Sequence, residues 1–141
     1  MAFDILSVQP DAVESFVLAH EREAQKSFYG FSVIWHEQVH TFAARDGESI
    51  VGVAGIRIAA SLAHVMRLIV APEHRKRGVG RALLLAASDT ANYYNCHKMS
   101  VMVPHKSGAQ TFFERCGYKL EAVLPQHEFK ADTAVLRKFL L

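Results

Sequence analysis

The chain has 141 residues, 50% of them hydrophobic and 21% charged, with 16 Lys and Arg against 14 Asp and Glu for a net charge of +2. That length suits one domain with a sizeable core, and the composition excludes disorder, collagen and coiled coil. So small a net charge supplies no global field, so neither nucleic acid nor a membrane is expected as a partner.

Residues 3–8 are a short β-prone run. Asp11 and Glu14 stand at capping-box spacing, and Val13, Phe16, Val17, Ala24 and Phe28 then recur at helical spacing. They predict an amphipathic helix ending near Gly30. Residues 31–38 are aromatic-rich, and their pattern selects neither helix nor loop. Residues 41–44 and 49–58 flank Asp46-Gly47 and predict a hairpin, with residues 59–63 as a short connection. Residues 65–70 are apolar apart from Arg67, are read as a strand covered on both faces, and stop at Ala71-Pro72. A second helix is expected over residues 78–95, with Val79, Leu83, Ala87, Ala91 and Tyr94 along one stripe. Residues 99–103 read as a strand stopped by Pro104. Residues 107–116 read as a short helix, opened by a Ser107/Gln110 capping box and closed by Gly117. Residues 118–124 and 134–140 are two final strands.

The order is β-α-β-β-β-α-β-α-β-β. Strand–helix–strand implies a parallel crossover, and the hairpins imply antiparallel pairs. The expected fold class is α/β (α+β), a single mixed β-sheet with helices on both faces, in one domain over residues 1–141. Cys96 and Cys116 make no disulfide framework and read as reduced thiols in a cytoplasmic protein. No signal peptide is expected, because Met1-Ala2-Phe3-Asp4 carries no positive charge and no long apolar run follows. Residues 50–71 are interrupted by Arg57, His64 and Arg67, too polar to span a bilayer.

The most informative segment is Arg75-Lys76-Arg77-Gly78-Val79-Gly80-Arg81, between a strand and a helix. A helix start presents free N–H groups and partial positive charge. Gly78 and Gly80 would let a ligand approach the backbone, and Arg75, Lys76, Arg77 and Arg81 add charge. A diphosphate suits such a cradle. The spacing Arg-x-x-Gly-x-Gly is neither Gly-x-Gly-x-x-Gly nor a P-loop. The competing readings are a solvated basic turn and a nucleic-acid patch, the latter opposed by the near-zero net charge.

This segment resembles the acetyl-CoA-binding motif of the GNAT N-acetyltransferase superfamily, which follows a strand ending in Val-x-Pro, here Val70-Ala71-Pro72. Ala109, Phe112, Phe113, Glu114, Gly117 and Tyr118 resemble that family's later Ala-x-x-Leu-Tyr-Glu-x-x-Gly-Phe signature. The resemblance implies an N-acetyltransferase acting by direct attack of an amine on a bound thioester, in a ternary complex. Acetyl-CoA is the implied cosubstrate, and no metal is implied. The acceptor is an amine-bearing small molecule or a peptide or protein, and a homodimer is compatible with the reading. The backbone of Leu68, Ile69 and Val70 would pair with the pantetheine arm as an added strand. Backbone amides of Lys76, Arg77, Gly78, Val79, Gly80 and Arg81, beside Arg75, would hold the pyrophosphate. Ser107 and Gln110 would lie near the cofactor arm, where the family usually has an Asn and this chain has Lys106 or Ser107. Phe113 stands in the cofactor region where the family places a tyrosine acid, so no acid is assigned. Tyr118 reads as core, and Cys116 reaches the same region.

An amine must be neutral to attack. For a lysine at pH 7 that costs about 4.6 kcal/mol, and for an N-terminal amine about 1 kcal/mol. A base therefore matters most for a lysine-like acceptor. His64 is the first candidate, aligned where the histone-acetyltransferase branch of the family has a Glu. Its spacing of four from Leu68 puts both on one strand face. A solvent-facing hairpin histidine is the competing role. Glu73 is the second candidate base, with a turn cap as its other role.

His36-Glu37-Gln38-Val39-His40 matches the zinc signature His-Glu-x-x-His, in which His36 and His40 would share a helix face beside Glu37. No Gly-x-x-His continuation follows it, and residues 41–44 read as strand. The expected function is therefore acetyl-CoA-dependent N-acetyl transfer. The alternative is a catalytically weak acyl-CoA-binding or sensor domain of the same fold, motivated by Phe113. The third reading is a zinc hydrolase.

Overall fold

The computed structural model describes residues 2–140. The chain divides after Trp35 into two compact units. In the first, a 3-10 turn, Pro10–Val13, leads into α1 (Glu14–Tyr29). Gly30 closes α1 at φ 79°, its N–H donating to the Lys26 carbonyl at 2.8 Å. The N-cap position falls on Val13 and carries no side-chain cap, so the expected Asp11 cap is not made. Residues 3–8 form no strand and are exposed. Their side chains favour a pleated surface, but a strand is completed only by a neighbour's backbone groups. Residues 31–35 are irregular, with Phe31 and Trp35 packing around Tyr29 at 6.3 and 6.4 Å between ring centroids.

The second unit holds β1 (Gln38–Asp46), β2 (Ser49–Ala59), β3 (Leu62–Val70), α2 (Val79–Tyr93), β4 (Lys98–Pro104), α3 (Gly108–Arg115), β5 (Lys119–Leu124) and β6 (Thr133–Phe139). The strands make one mixed sheet in the order β1-β2-β3-β4-β6-β5. Only β3 and β4 pair in parallel, across the α2 crossover. The β2–β3 turn is tighter than expected. Ala60 and Ser61 both sit at φ 55°, the geometry of a primed hairpin turn, without a glycine to announce it.

Period-two alternation turns Ile56, Ile58, Ala63, Val65, Met99, Val101 and Leu136 to one face of the sheet. There they meet Leu84, Ala87 and Ala91 of α2 and Phe113 of α3 in a single cluster. Both helices of this unit thus lie on the same face. Ile56, Met99 and Leu136 are fully buried, and each such side chain contributes roughly 1.5–3 kcal/mol. β3 is not covered along its length as its apolar run suggested: Val65 is buried, whereas Met66 and Ile69 are exposed. No helix among the described residues is long and apolar enough to cross a membrane.

Two irregularities of β3 open the sheet. Gly55 pairs with Arg67 but Ile56 pairs with Val65, so Met66 is an inserted bulge residue. The β3–β4 ladder runs only from Leu62–Lys98 to Val65–Val101. Beyond it β3 pairs with β2 alone and β4 with β6 alone. A gap therefore separates the two strands past Val65 and Val101.

Candidate active site

One wall of the gap is the backbone edge of β3, which includes Leu68, Ile69 and Val70 and has no second strand partner there. At its far end the chain turns through Pro72–His74 and enters α2. Gly78 is the N-cap of α2 in the left-handed conformation, φ 83°. A Cβ there would meet nothing within 4 Å, so this glycine serves the backbone turn. The Ala82 N–H donates to the Gly78 carbonyl at 3.0 Å. The N–H groups of Val79, Gly80 and Arg81 precede that bond and lie in the turn that has no intrahelical acceptors. Gly80 has a packing purpose that the sequence did not announce. A Cβ on it would meet Phe112 Cζ at 3.0 Å, so its glycine lets α2 and α3 close on each other.

The four cations of the segment divide by role. Arg75 Nε donates to the Val70 carbonyl at 3.1 Å, and Arg81 Nη2 donates to the Arg115 carbonyl at the end of α3 at 3.0 Å. Lys76 and Arg77 are exposed and have no ion-pair partner among the described residues. A diphosphate fits this arrangement: free amides at a helix start, an open N-cap and two untethered cations.

At the narrow end of the gap stands His64. Its ring faces away from α2 and α3, since its neighbours Ala63 and Val65 are core. Leu68 packs against that core, so His64 and Leu68 lie on opposite faces. The expectation of a shared face fails because the Met66 bulge adds one residue to the count. His64 Nδ1 is 2.8 Å from the Ser100 hydroxyl of β4. Burial, then the Arg57 guanidinium opposite it, hold its pKa below the usual histidine value. Glu73 is not brought to the same place. It is exposed in the turn past Val70, about 20 Å from His64 along β3 at 3.3 Å per residue.

Two residues expected beside the cofactor, Phe113 and Gln110, are placed differently. Phe113 is buried in the core, its ring edge-on to Phe112 and Tyr118, rather than lining a cofactor surface. Tyr118 is core as expected. Its hydroxyl reaches Met99 Sδ at 3.5 Å, and burial, with Cys116 nearby, pushes its pKa well up, so it stays protonated. Gln110 is buried, and its Oε1 accepts from the Lys106 N–H at 2.7 Å and meets His105 Nδ1 at 3.0 Å. Its side chain therefore braces the loop before α3, while the Ser107 hydroxyl caps the Gln110 N–H at 3.2 Å. Burial pushes both cysteine thiols up, that of Cys116 against the opposing pull of Arg81 and Lys138.

The zinc signature does not form a metal face. Zinc chemistry on this motif needs His36 and His40 one helical turn apart. β1 begins at Gln38, so His40 sits in a strand and His36 precedes it. The His40 ring instead meets Gln38 Oε1 at 3.0 Å and Tyr94 at 5.2 Å, and Glu37 lies 4.0 Å from Arg57.

The site thus combines an unpaired strand edge, a helix start and a hydrogen-bonded histidine. A family model described as an acetyltransferase (GNAT) domain matches residues 6–130, and the chain belongs to that family. An acetyltransferase from Bacillus cereus superposes with a TM-score of 0.76 at 16% identity, covering 97% of this chain and 98% of its own. The PaiA N-acetyltransferase of Thermoplasma acidophilum, in complex with coenzyme A, gives 0.64 at 16% identity, covering 94% and 80%. A Bacillus anthracis protein in complex with acetyl coenzyme A gives 0.67 at 17% identity, covering 71% and 61%. These likenesses carry the fold.

Sequence reasoning missed Ser100 and Arg57, the two side chains that flank His64. The one signal was a lone hydroxyl inside the apolar run 99–103. Its meaning depends on a pairing 36 residues away.

Proposed function

We propose that this protein transfers the acetyl group of acetyl-CoA directly to an amine, with both substrates held in the β3–β4 gap. The observation that carries the reading is the gap itself. A free strand edge runs from the His64–Ser100 pair to an amide-lined helix start within one continuous segment. Two structural neighbours in complex with coenzyme A or acetyl coenzyme A support the same donor.

Acetyl-CoA supplies an activated thioester. The β3 edge at Leu68, Ile69 and Val70 would bond the pantetheine amides as an extra strand. The amides of Val79, Gly80 and Arg81 would take the pyrophosphate, with Lys76 and Arg77 closing over it. His64 Nε2 would accept the proton of the incoming amine, and its lowered pKa keeps the ring neutral at pH 7. Neither cysteine is predisposed to be a thiolate, which favours direct transfer over a covalent enzyme intermediate. Phe113 has no proton to give and Tyr118 is locked in the core, so the leaving thiolate departs without a tyrosine acid. A thiol with a pKa near 8.5 tolerates that.

The test combines calorimetry of acetyl-CoA binding with a thiol-release assay over four amines: spermidine, a tripeptide with one lysine, a tripeptide with a free N-terminus only, and an aminoglycoside. Binding with turnover of at least one amine is expected. Tight binding with no turnover would turn the reading to an acyl-CoA sensor, and no binding would end it.

A further inference from the structure

Across the sheet, on the face away from α2 and α3, one row of paired positions runs Val39, Arg57, His64, Ser100, Arg137, Lys119. His64 is thus met by Arg57 from β2 and by Ser100 from β4. Arg137 of β6 stands beyond Ser100, held by Glu121 Oε2 at 3.6 Å and stacked on Phe139 at 4.4 Å. Lys98, two residues before Ser100 on β4, is bound to Glu121 Oε1 at 2.8 Å. Glu37 lies 4.0 Å from Arg57 rather than on His64. No carboxylate among the described residues contacts the imidazole. Its one side-chain partner is the hydroxyl of Ser100, which is only 9% exposed.

A hydroxyl in an apolar strand is kept against a partner, and here that partner is His64 Nδ1. We propose that Ser100 is a positioning residue: its Oγ accepts from Nδ1–H of His64 and so leaves Nε2 bare to take the amine proton. This rests on the reading of His64 as the base. The same bond serves both charge states. The neutral ring donates from Nδ1, and the imidazolium formed when Nε2 takes the proton donates from Nδ1 as well. No buried group has to reorient during the transfer. A carboxylate in the same place would hold the imidazolium and slow its return to neutral, whereas a hydroxyl leaves that return easy.

The test begins with the wild-type full chain labelled with 15N. Long-range 1H–15N spectra at pH 7 identify which ring nitrogen of His64 carries the proton, and Nδ1 is expected. Ser100→Ala should abolish that preference. With acetyl-CoA and the amine of the four turned over fastest, Ser100→Ala should lower kcat/KM about tenfold, the effect of one hydrogen bond. Ser100→Thr, which keeps the hydroxyl, should recover most of it. In a His64→Ala background Ser100→Ala should change nothing further. A proton on Nε2 in wild type, or a full loss from Ser100→Ala in the His64→Ala background, overturns the proposal alone. A wild-type rate in His64→Ala overturns the base reading, and the proposal with it.

Discussion

His64 is where residue chemistry and pH meet. Its pKa is lowered first by burial and second by Arg57. If it is the base, kcat/KM should hold its plateau to below pH 6.5 and then fall on the acid side. His64→Ala should flatten that limb and slow the reaction by roughly 10²- to 10⁴-fold, read from initial rates between pH 5 and 8. A rate and profile like wild type would remove His64 from the mechanism. The same shift acts on stability. The folded ring binds its proton less readily than the unfolded one, so its contribution is complete above pH 6.5 and is lost as pH falls through the folded value. Urea titrations of wild type and His64→Gln should therefore diverge between pH 7.5 and 5, with wild type losing more. The candidate base was legible because a histidine interrupts an apolar run. Its face was not, because one bulge residue at Met66 reverses the parity that strand alternation assumes.

Elements whose signals are local were read almost to their ends. The C-cap at Gly30 and the Ser107 cap fall where spacing predicted, because a cap is decided by a few neighbouring residues. Residues 3–8 and the Ala60-Ser61 turn were misjudged, since a strand needs a distant partner and a primed turn can form without glycine. The α2–α3 contact was equally hidden, and it gives Gly80 a packing role. A valine there must displace Phe112, whose ring would lie 3.0 Å from the new Cβ. Overpacking of this kind costs about 1–3 kcal/mol. Gly80→Val should lower Tm in the absence of any ligand, and adding Phe112→Ala should return part of the loss by opening space. A variant with wild-type Tm that merely fails to bind acetyl-CoA would mean that the missing Cβ serves the ligand and not the helix packing. Phe113→Tyr adds a hydroxyl to a buried ring packed against Phe112 and Tyr118. A cost of about 1–3 kcal/mol and no gain in turnover are expected, measured by thermal melts and thiol release. A faster enzyme would mean the ring reaches the thioester after all.

At the scale of the whole molecule the charge is nearly balanced, at +2, so recognition of an anionic donor has to be local. The cations near α2 are not equivalent. Lys76 and Arg77 are untethered, whereas Arg81 binds the end of α3. This difference separates binding from folding. Acetyl-CoA that contacts only the folded state stabilises it by about 2.7 kcal/mol at a hundredfold excess over Kd. For a chain of this size that raises Tm by about 5–10 °C. Lys76→Ala with Arg77→Ala should leave the Tm of the free protein unchanged, shrink the acetyl-CoA shift, and flatten its dependence on salt, because exposed charges are screened within about 10 Å at 0.1 M. Arg81→Ala should instead lower the Tm of the free protein, since the last carbonyls of α3 lose their cation. Scanning calorimetry with and without acetyl-CoA, at low and high salt, reads all four quantities. A double variant that keeps the full ligand shift and its salt dependence would place the pyrophosphate away from this loop. The β3 edge would then have to hold the donor without the helix start.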